Sequence, residues 1–138
     1  MNLLTLPITT ALTAFVGPTH VAQDGGVRSL ALQGNFTYGS SGTTATVWVQ
    51  TSFDGGATWC DVANFAFTTS SIRRFYILNA STSITSIATP TDGSLTSATC
   101  VDGIIGPIWR TKTTSTGTYA GSTVLAVDVY FNGALTAA

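Results

Sequence analysis

Arg28-Ser29-Leu30-Ala31-Leu32-Gln33-Gly34-Asn35-Phe36-Thr37-Tyr38 alternates almost without a break: Leu30, Leu32, Phe36 and Tyr38 are large and apolar, and the odd-numbered positions are small or polar. A period of two is the period of a pleated strand with one face on a core and the other on water or a partner. Gly39-Ser40-Ser41-Gly42 follows as a turn, and Thr43 to Thr51 resumes the alternation through Ala45, Val47 and Val49. Trp48 falls on the opposite face of that strand, so this face too is expected to be covered.

The same signal recurs in both directions. Asp54-Gly55-Gly56 is the strongest hairpin turn in the chain, because a tight turn needs residues that tolerate a positive φ. After it, Thr58 to Thr68 reads as a strand with Trp59, Phe65 and Phe67 on one face. Ile72 to Asn79 has apolar side chains on both sides, Phe75 and Ile77 against Tyr76 and Leu78, and is expected to be buried on both. Ser81 to Thr99 is rich in Ser and Thr, with Ile84, Ile87 and Leu95 spaced for one or two short strands. Ile108 to Thr116 and Thr123 to Phe131 form a last pair, the latter with Leu125, Val127, Val129 and Phe131 facing inward. Thr9 to Val16 is read as a first strand and Met1 to Ile8 as an N-terminal arm. No window repeats apolar residues at i, i+3, i+4, i+7, and the β-branched and aromatic residues favour strands. The expectation is one all-β domain over residues 1–138, an antiparallel β-sandwich or jelly roll of about eight strands.

Composition narrows the function. Of the 138 residues only 8% are charged, with no Glu, one Lys (Lys112) and one His (His20), for a net charge of -1; a typical soluble chain has about 25%. Nucleic acid is excluded as an expected partner, since neutralising phosphate takes a basic face. Disorder goes with low hydrophobicity, and here 44% of residues are hydrophobic. No stretch approaches the roughly 20 apolar residues of a membrane-spanning helix, so no membrane partner is expected. The first residues carry no Lys or Arg and are interrupted by Pro7, unlike a secretory signal, which points to a chain made and folded in a reducing cytoplasm. Cys60 and Cys100 read as two small buried hydrophobes, or else as a disulfide.

Candidate chemistry is sparse. His20 has only Asp24 and Ser29 near it in sequence and no G-x-S-x-G turn, so it reads as a loop histidine. Asp24, Asp54, Asp92 and Asp102 stand in turns, whereas Asp61 and Asp128 lie within strands and are expected to pair with Arg73, Arg74 or Arg110. Arg73-Arg74, on a strand, point to opposite faces. Trp48, Trp59, Trp109 and Tyr119 read as core or oligomer-interface residues, with the aromatic platform of a carbohydrate-binding module as the alternative. Gly103-Ile104-Ile105-Gly106 lacks the Lys of a phosphate loop. The chain is therefore expected to be no enzyme and to use no metal or cofactor.

Ser52-Phe53-Asp54-Gly55-Gly56-Ala57-Thr58-Trp59 resembles the Asp-box, the S-x-D-x-G-x-T-W turn of sialidases and other β-propeller proteins. The resemblance implies a structural turn built by Ser52, Asp54, Gly55, Gly56, Thr58 and Trp59, and it brings no activity, since these boxes sit away from the catalytic site. A propeller needs the unit in every blade, and here it occurs once. The longer run Val47 to Ala63, with Gly117-Thr118-Tyr119-Ala120-Gly121-Ser122-Thr123, resembles small β-sandwich structural proteins of tailed phages. In size and pattern the chain is similar to jelly-roll cement (decoration) proteins, which clamp neighbouring capsomers on the outside of a capsid, often as dimers. That resemblance implies the major capsid protein as partner, self-association as a homo-oligomer and a place on the virion surface. A glycan-binding or structural module of a tail, spike or neck is the alternative.

Overall fold

The computed structural model describes residues 1–22, 27–82 and 88–133, and among these every regular element is a strand. In chain order they are β1 (Asn2–Pro7), β2 (Phe15–Val16), β3 (His20–Val21), β4 (Val27–Thr37), β5 (Ser40–Ser41), β6 (Thr44–Ser52), β7 (Cys60–Phe67), β8 (Ile72–Asn79), β9 (Ile108–Thr116), β10 (Tyr119–Ala120) and β11 (Val124–Gly133). All pairings are antiparallel. One sheet has the order β1-β11-β4-β8, a second the order β2-β9-β6-β7 with β3 also on β9, and β5 and β10 make a two-stranded ribbon.

The alternation in Val27–Thr37 works as the sequence implies. Leu30, Leu32 and Phe36 point from β4 into the core, and Leu125, Val127 and Val129 point there from β11. From the second sheet, Val47, Val49, Phe65, Phe67 and Trp109 meet them in one apolar cluster. Phe36 stacks on Phe67 at a centroid distance of 5.1 Å, tying the two sheets together. The break in the alternation at Gly34 is a fitted one. An added Cβ there would lie 2.8 Å from the Phe65 ring, so the missing side chain is the space that ring fills.

Several expectations are corrected. Residues 2–7, read as an arm, form an edge strand on β11, with Leu3 and Leu4 in the core and the Met1 amine donating to the Val129 carbonyl at 2.7 Å. Only Phe15–Val16 of the Thr9–Val16 segment is strand. The last two long strands lie in different sheets, β9 on β6 and β11 between β1 and β4. β8 is not buried on both sides: Tyr76 and Leu78 face inward, but Phe75 and Ile77 are 58% and 74% exposed. Of Ser81–Thr99, Ile84 and Ile87 lie outside the described residues, and the described remainder has no strand; Cys100, just beyond it, forms a single bridge with Ala63. The chain from Thr91 to Val101 instead lines the outer edge of β7, through bonds such as Asp61 N to Thr91 O and Asn64 N to Thr99 O. Cys60 and Cys100 are both free thiols, the first buried and the second exposed.

Candidate functional site

The densest polar chemistry begins at the turn between β6 and β7. Gly55 and Gly56 both take positive φ, +72° and +93°, which lets the chain reverse within the octapeptide. Ser52 Oγ donates to Asp54 Oδ1 at 2.9 Å and accepts the Gly56 amide at 2.9 Å. The other side of the carboxylate takes the Thr58 hydroxyl, and the Thr58 amide reaches Oδ1 at 2.8 Å. Trp59 Nε1 closes the loop on the Gly56 carbonyl at 3.0 Å. Hydrogen bonds from the Thr58 hydroxyl, the Thr58 amide and Ser52 lower the Asp54 carboxyl to about 2. Every polar group of Ser52, Asp54 and Thr58 named here is spent within the turn.

Beyond the turn a bulge changes the geometry. Gln50 pairs with Asp61 but Val49 pairs with Ala63, so β7 holds one extra residue at Val62. Trp59, expected beside Phe65 and Phe67, is thereby carried to the opposite face, where the Arg110 guanidinium lies 4.2 Å from its ring centroid. Asp61 lands on that same outer face. It is 3% exposed and pairs with no arginine: it accepts Gln50 Nε2, the Thr91 hydroxyl and the amides of Gly93, Ser94 and Leu95. Asn64 Oδ1 accepts the Ala98 amide, and the Leu95 carbonyl accepts Trp48 Nε1 at 3.0 Å. A carboxylate and an amide therefore hold the 91–98 segment down over β6 and β7, which is why the Trp48 face is covered.

A second acid joins this cluster. Asp92 Oδ1 accepts Lys112 Nζ at 2.6 Å and Gln50 Nε2 at 2.7 Å and lies 3.7 Å from Arg110. Burial pushes the Asp92 carboxyl up, but these bonds and the two cations outweigh it and hold it below its ordinary value. Burial pulls the Arg110 guanidinium down, opposed by the charges of Asp92 and Asp61. Gln50 and Lys112 had no expected part here, and Arg110, expected to pair with Asp61 or Asp128, lies over Trp59 and near Asp92 instead. Their signal was their shared parity on two neighbouring strands, hidden because the bulge shifts Asp61 and Trp59 into register with them.

The remaining candidates do not converge. His20 Nε2 donates to the Leu3 carbonyl at 2.9 Å, joining β3 to β1; Ser29 lies on β4 and Asp24 outside the described residues. Asp128 accepts Asn2 Nδ2 at 2.9 Å, again with no arginine. Asp102 accepts the Asn79 and Gly103 amides and the Thr82 hydroxyl, which keep its carboxyl low. Trp109 and Tyr119 are core residues at 0% and 1% exposure, and Trp48 is capped by Leu95, so the four aromatics make no common platform. Among the described residues no group of three or more His, Cys, Asp or Glu side chains is placed to hold a metal ion. Compared with protein-family models, curated proteins and solved structures, the chain matches none.

Proposed function

We propose that this protein is a jelly-roll cement protein: a structural virion component that binds the outside of a phage capsid and stabilises contacts between capsomers. The observation that carries the reading is the strand order. β2 and β3 both pair with β9 and count as one interrupted strand, and the β5–β10 ribbon stands apart. Counted so, the eight strands run first-eighth-third-sixth in one sheet and second-seventh-fourth-fifth in the other. First pairs with eighth, second with seventh, third with sixth and fourth with fifth, as in one long hairpin rolled up on itself. This supports a jelly roll, an architecture used by viral capsid and lectin domains. Fold alone does not give function, and a second support is how the acids are used. Asp54, Asp61, Asp92, Asp102 and Asp128 all hold turns, loops or strand ends by hydrogen bonds.

A protein that binds only the assembled shell stabilises it by mass action, and many weak sites add through multivalency. Partners on this reading are the major capsid protein and a second copy of the chain. The test compares complete particles with particles lacking the protein under heat and osmotic shock. Complete particles are expected to survive longer and to carry the protein in hundreds of copies; equal survival overturns the reading. A dozen copies or fewer would favour a tail, spike or neck module. That reading draws on Trp59, half-buried at a hairpin whose neighbour Phe53 is 62% exposed. It expects sugar retention on an array that Trp59→Ala abolishes.

A further inference from the structure

The two large sheets differ in what covers their outer faces. The 91–98 segment lies over β6 and β7, whereas the outer face of β1-β11-β4-β8 leaves Tyr130, Ile77 and Phe75 at 73%, 74% and 58% exposure. The register sets these side chains in rows: Tyr130–Ala31–Ile77, then Asp128–Gln33–Phe75, then Ala126–Asn35–Arg73. Each row ends in a large side chain on β8, Tyr130 on β11 stands across from Ile77, and the small Ala31 lies between these two. The result is a shallow trough of about 470 Å³ that Ala31, Gln33, Phe75, Asp128 and Tyr130 help to line. The flanks carry opposite charges one row apart, Asp128 on β11 and Arg73 on β8. The guanidinium leans 5.9 Å from the Phe75 ring centroid, toward the Asp128 row.

We propose that this face docks a second copy of the chain through a two-fold axis running along β4. That axis lays each β8 on the other copy's β11. Ile77 then meets Tyr130 of the second copy, and Arg73 comes within one strand row, about 7 Å, of its Asp128, a gap an arginine side chain spans. The ion pair forms twice, at the margin of an apolar centre. A two-fold across the strands through the Asp128 row would instead set Asp128 against itself, which charge repulsion disfavours. Across this axis three strands of each copy, β11, β4 and β8, face one another; at about 4.8 Å apart and eight residues of about 3.3 Å each they give a footprint of about 400 Å² per copy. The total of about 800 Å² falls below the roughly 1,000 Å² of a stable specific interface, so a weak, dissociating dimer is expected. The proposal deepens the self-association expected above and needs no virion, so either can fail alone.

Sedimentation equilibrium of the purified full chain tests it. A concentration-dependent monomer–dimer mixture is expected at micromolar protein. Arg73→Asp and Asp128→Arg should each weaken the dimer about tenfold or more, and the double charge swap should recover most of that loss. Ile77→Lys should leave a monomer. Far-UV circular dichroism should stay unchanged throughout, since all three residues are on the surface. A monomeric parent chain, a dimer insensitive to these substitutions, or a swap without recovery overturns the proposal. So does a monomer whose binding to capsids is lost on Ile77→Lys, which would assign the face to a different protein.

Discussion

Asp54 and Asp61 are both acids whose oxygens accept backbone amides, yet one is legible in the sequence and the other is not. Asp54 sits in a local motif whose partners are two and four residues away, so spacing alone identifies its role. Asp61 takes its amides from residues 32 to 34 positions further on, and nothing near it in sequence announces them. Each makes a prediction. The Asp54 carboxyl falls from an ordinary 3.8 to about 2 on folding. A lowered folded value gives stability that is present above pH 4 and lost as pH falls toward 2. The melting temperature should drop through that window, and Asp54→Asn should make the drop shallower. It should not remove it, because Asp92 and Asp102 are also held low. For Asp61, replacing one acceptor oxygen by an amide nitrogen sets a donor against buried amide donors. Asp61→Asn should cost about 3 kcal/mol in urea unfolding. Hydrogen exchange should quicken at Gly93, Ser94 and Leu95 ahead of the rest, and uniform exchange would refute the loop-anchoring role.

Among elements, strand existence was readable wherever alternation was strong, as in β4, β6 and β11, because burial on one face imposes it. What failed was the assignment of faces and neighbours. β8 shows why: Phe75 and Ile77 look like core residues by type, and only the sheet order shows that no strand among the described residues covers their side. The bulge at Val62 likewise inverts the parity of Trp59, and no composition signal marks an extra residue. β9 carries the reverse surprise, a polar inner face. Thr111, Thr113 and Ser115 point into the core; Ser115 Oγ accepts the Leu12 amide at 2.9 Å, while the hydroxyls of Thr111 and Thr113 have no hydrogen-bond partner. A buried unpaired hydroxyl costs free energy that a methyl of similar shape does not. Thr113→Val should therefore stabilise the protein by about 1 kcal/mol, raising the melting temperature by about 3 °C. Thr113→Ala, which leaves a gap, should not, and an unchanged or lower melting point for the valine variant would count against this reading of β9.

At the scale of the whole molecule, the first and last described strands are sewn together. β1 pairs with β11 along its length, Leu6 opposite Leu125 and Pro7 opposite Val124, and the first amine reaches Val129. Among the described strands, every pairing but that of the β6–β7 hairpin joins distant segments. Such a topology closes long loops before contacts compensate, so folding in milliseconds to seconds is expected. The sequence concealed this because Met1 to Ile8 is short, mildly apolar and broken by Pro7, which is how an arm reads. Pro7 is tolerated because β1 lies at the sheet's edge, where one side of the strand needs no donor. The two accounts predict opposite results. An arm can be removed without loss, whereas a core strand cannot. Leu3 and Leu4 are 0% and 4% exposed, and Ile8 is buried as well. Leu4→Ala should cost about 3 kcal/mol in urea unfolding, the range of a large-to-small change in a packed core. Deleting residues 1–8 removes all three side chains and bares the β11 edge to other chains. The truncated protein should aggregate or remain unfolded at temperatures where the full chain is soluble. A soluble truncation that unfolds at the same urea concentration as the full chain would return these residues to the status of an arm.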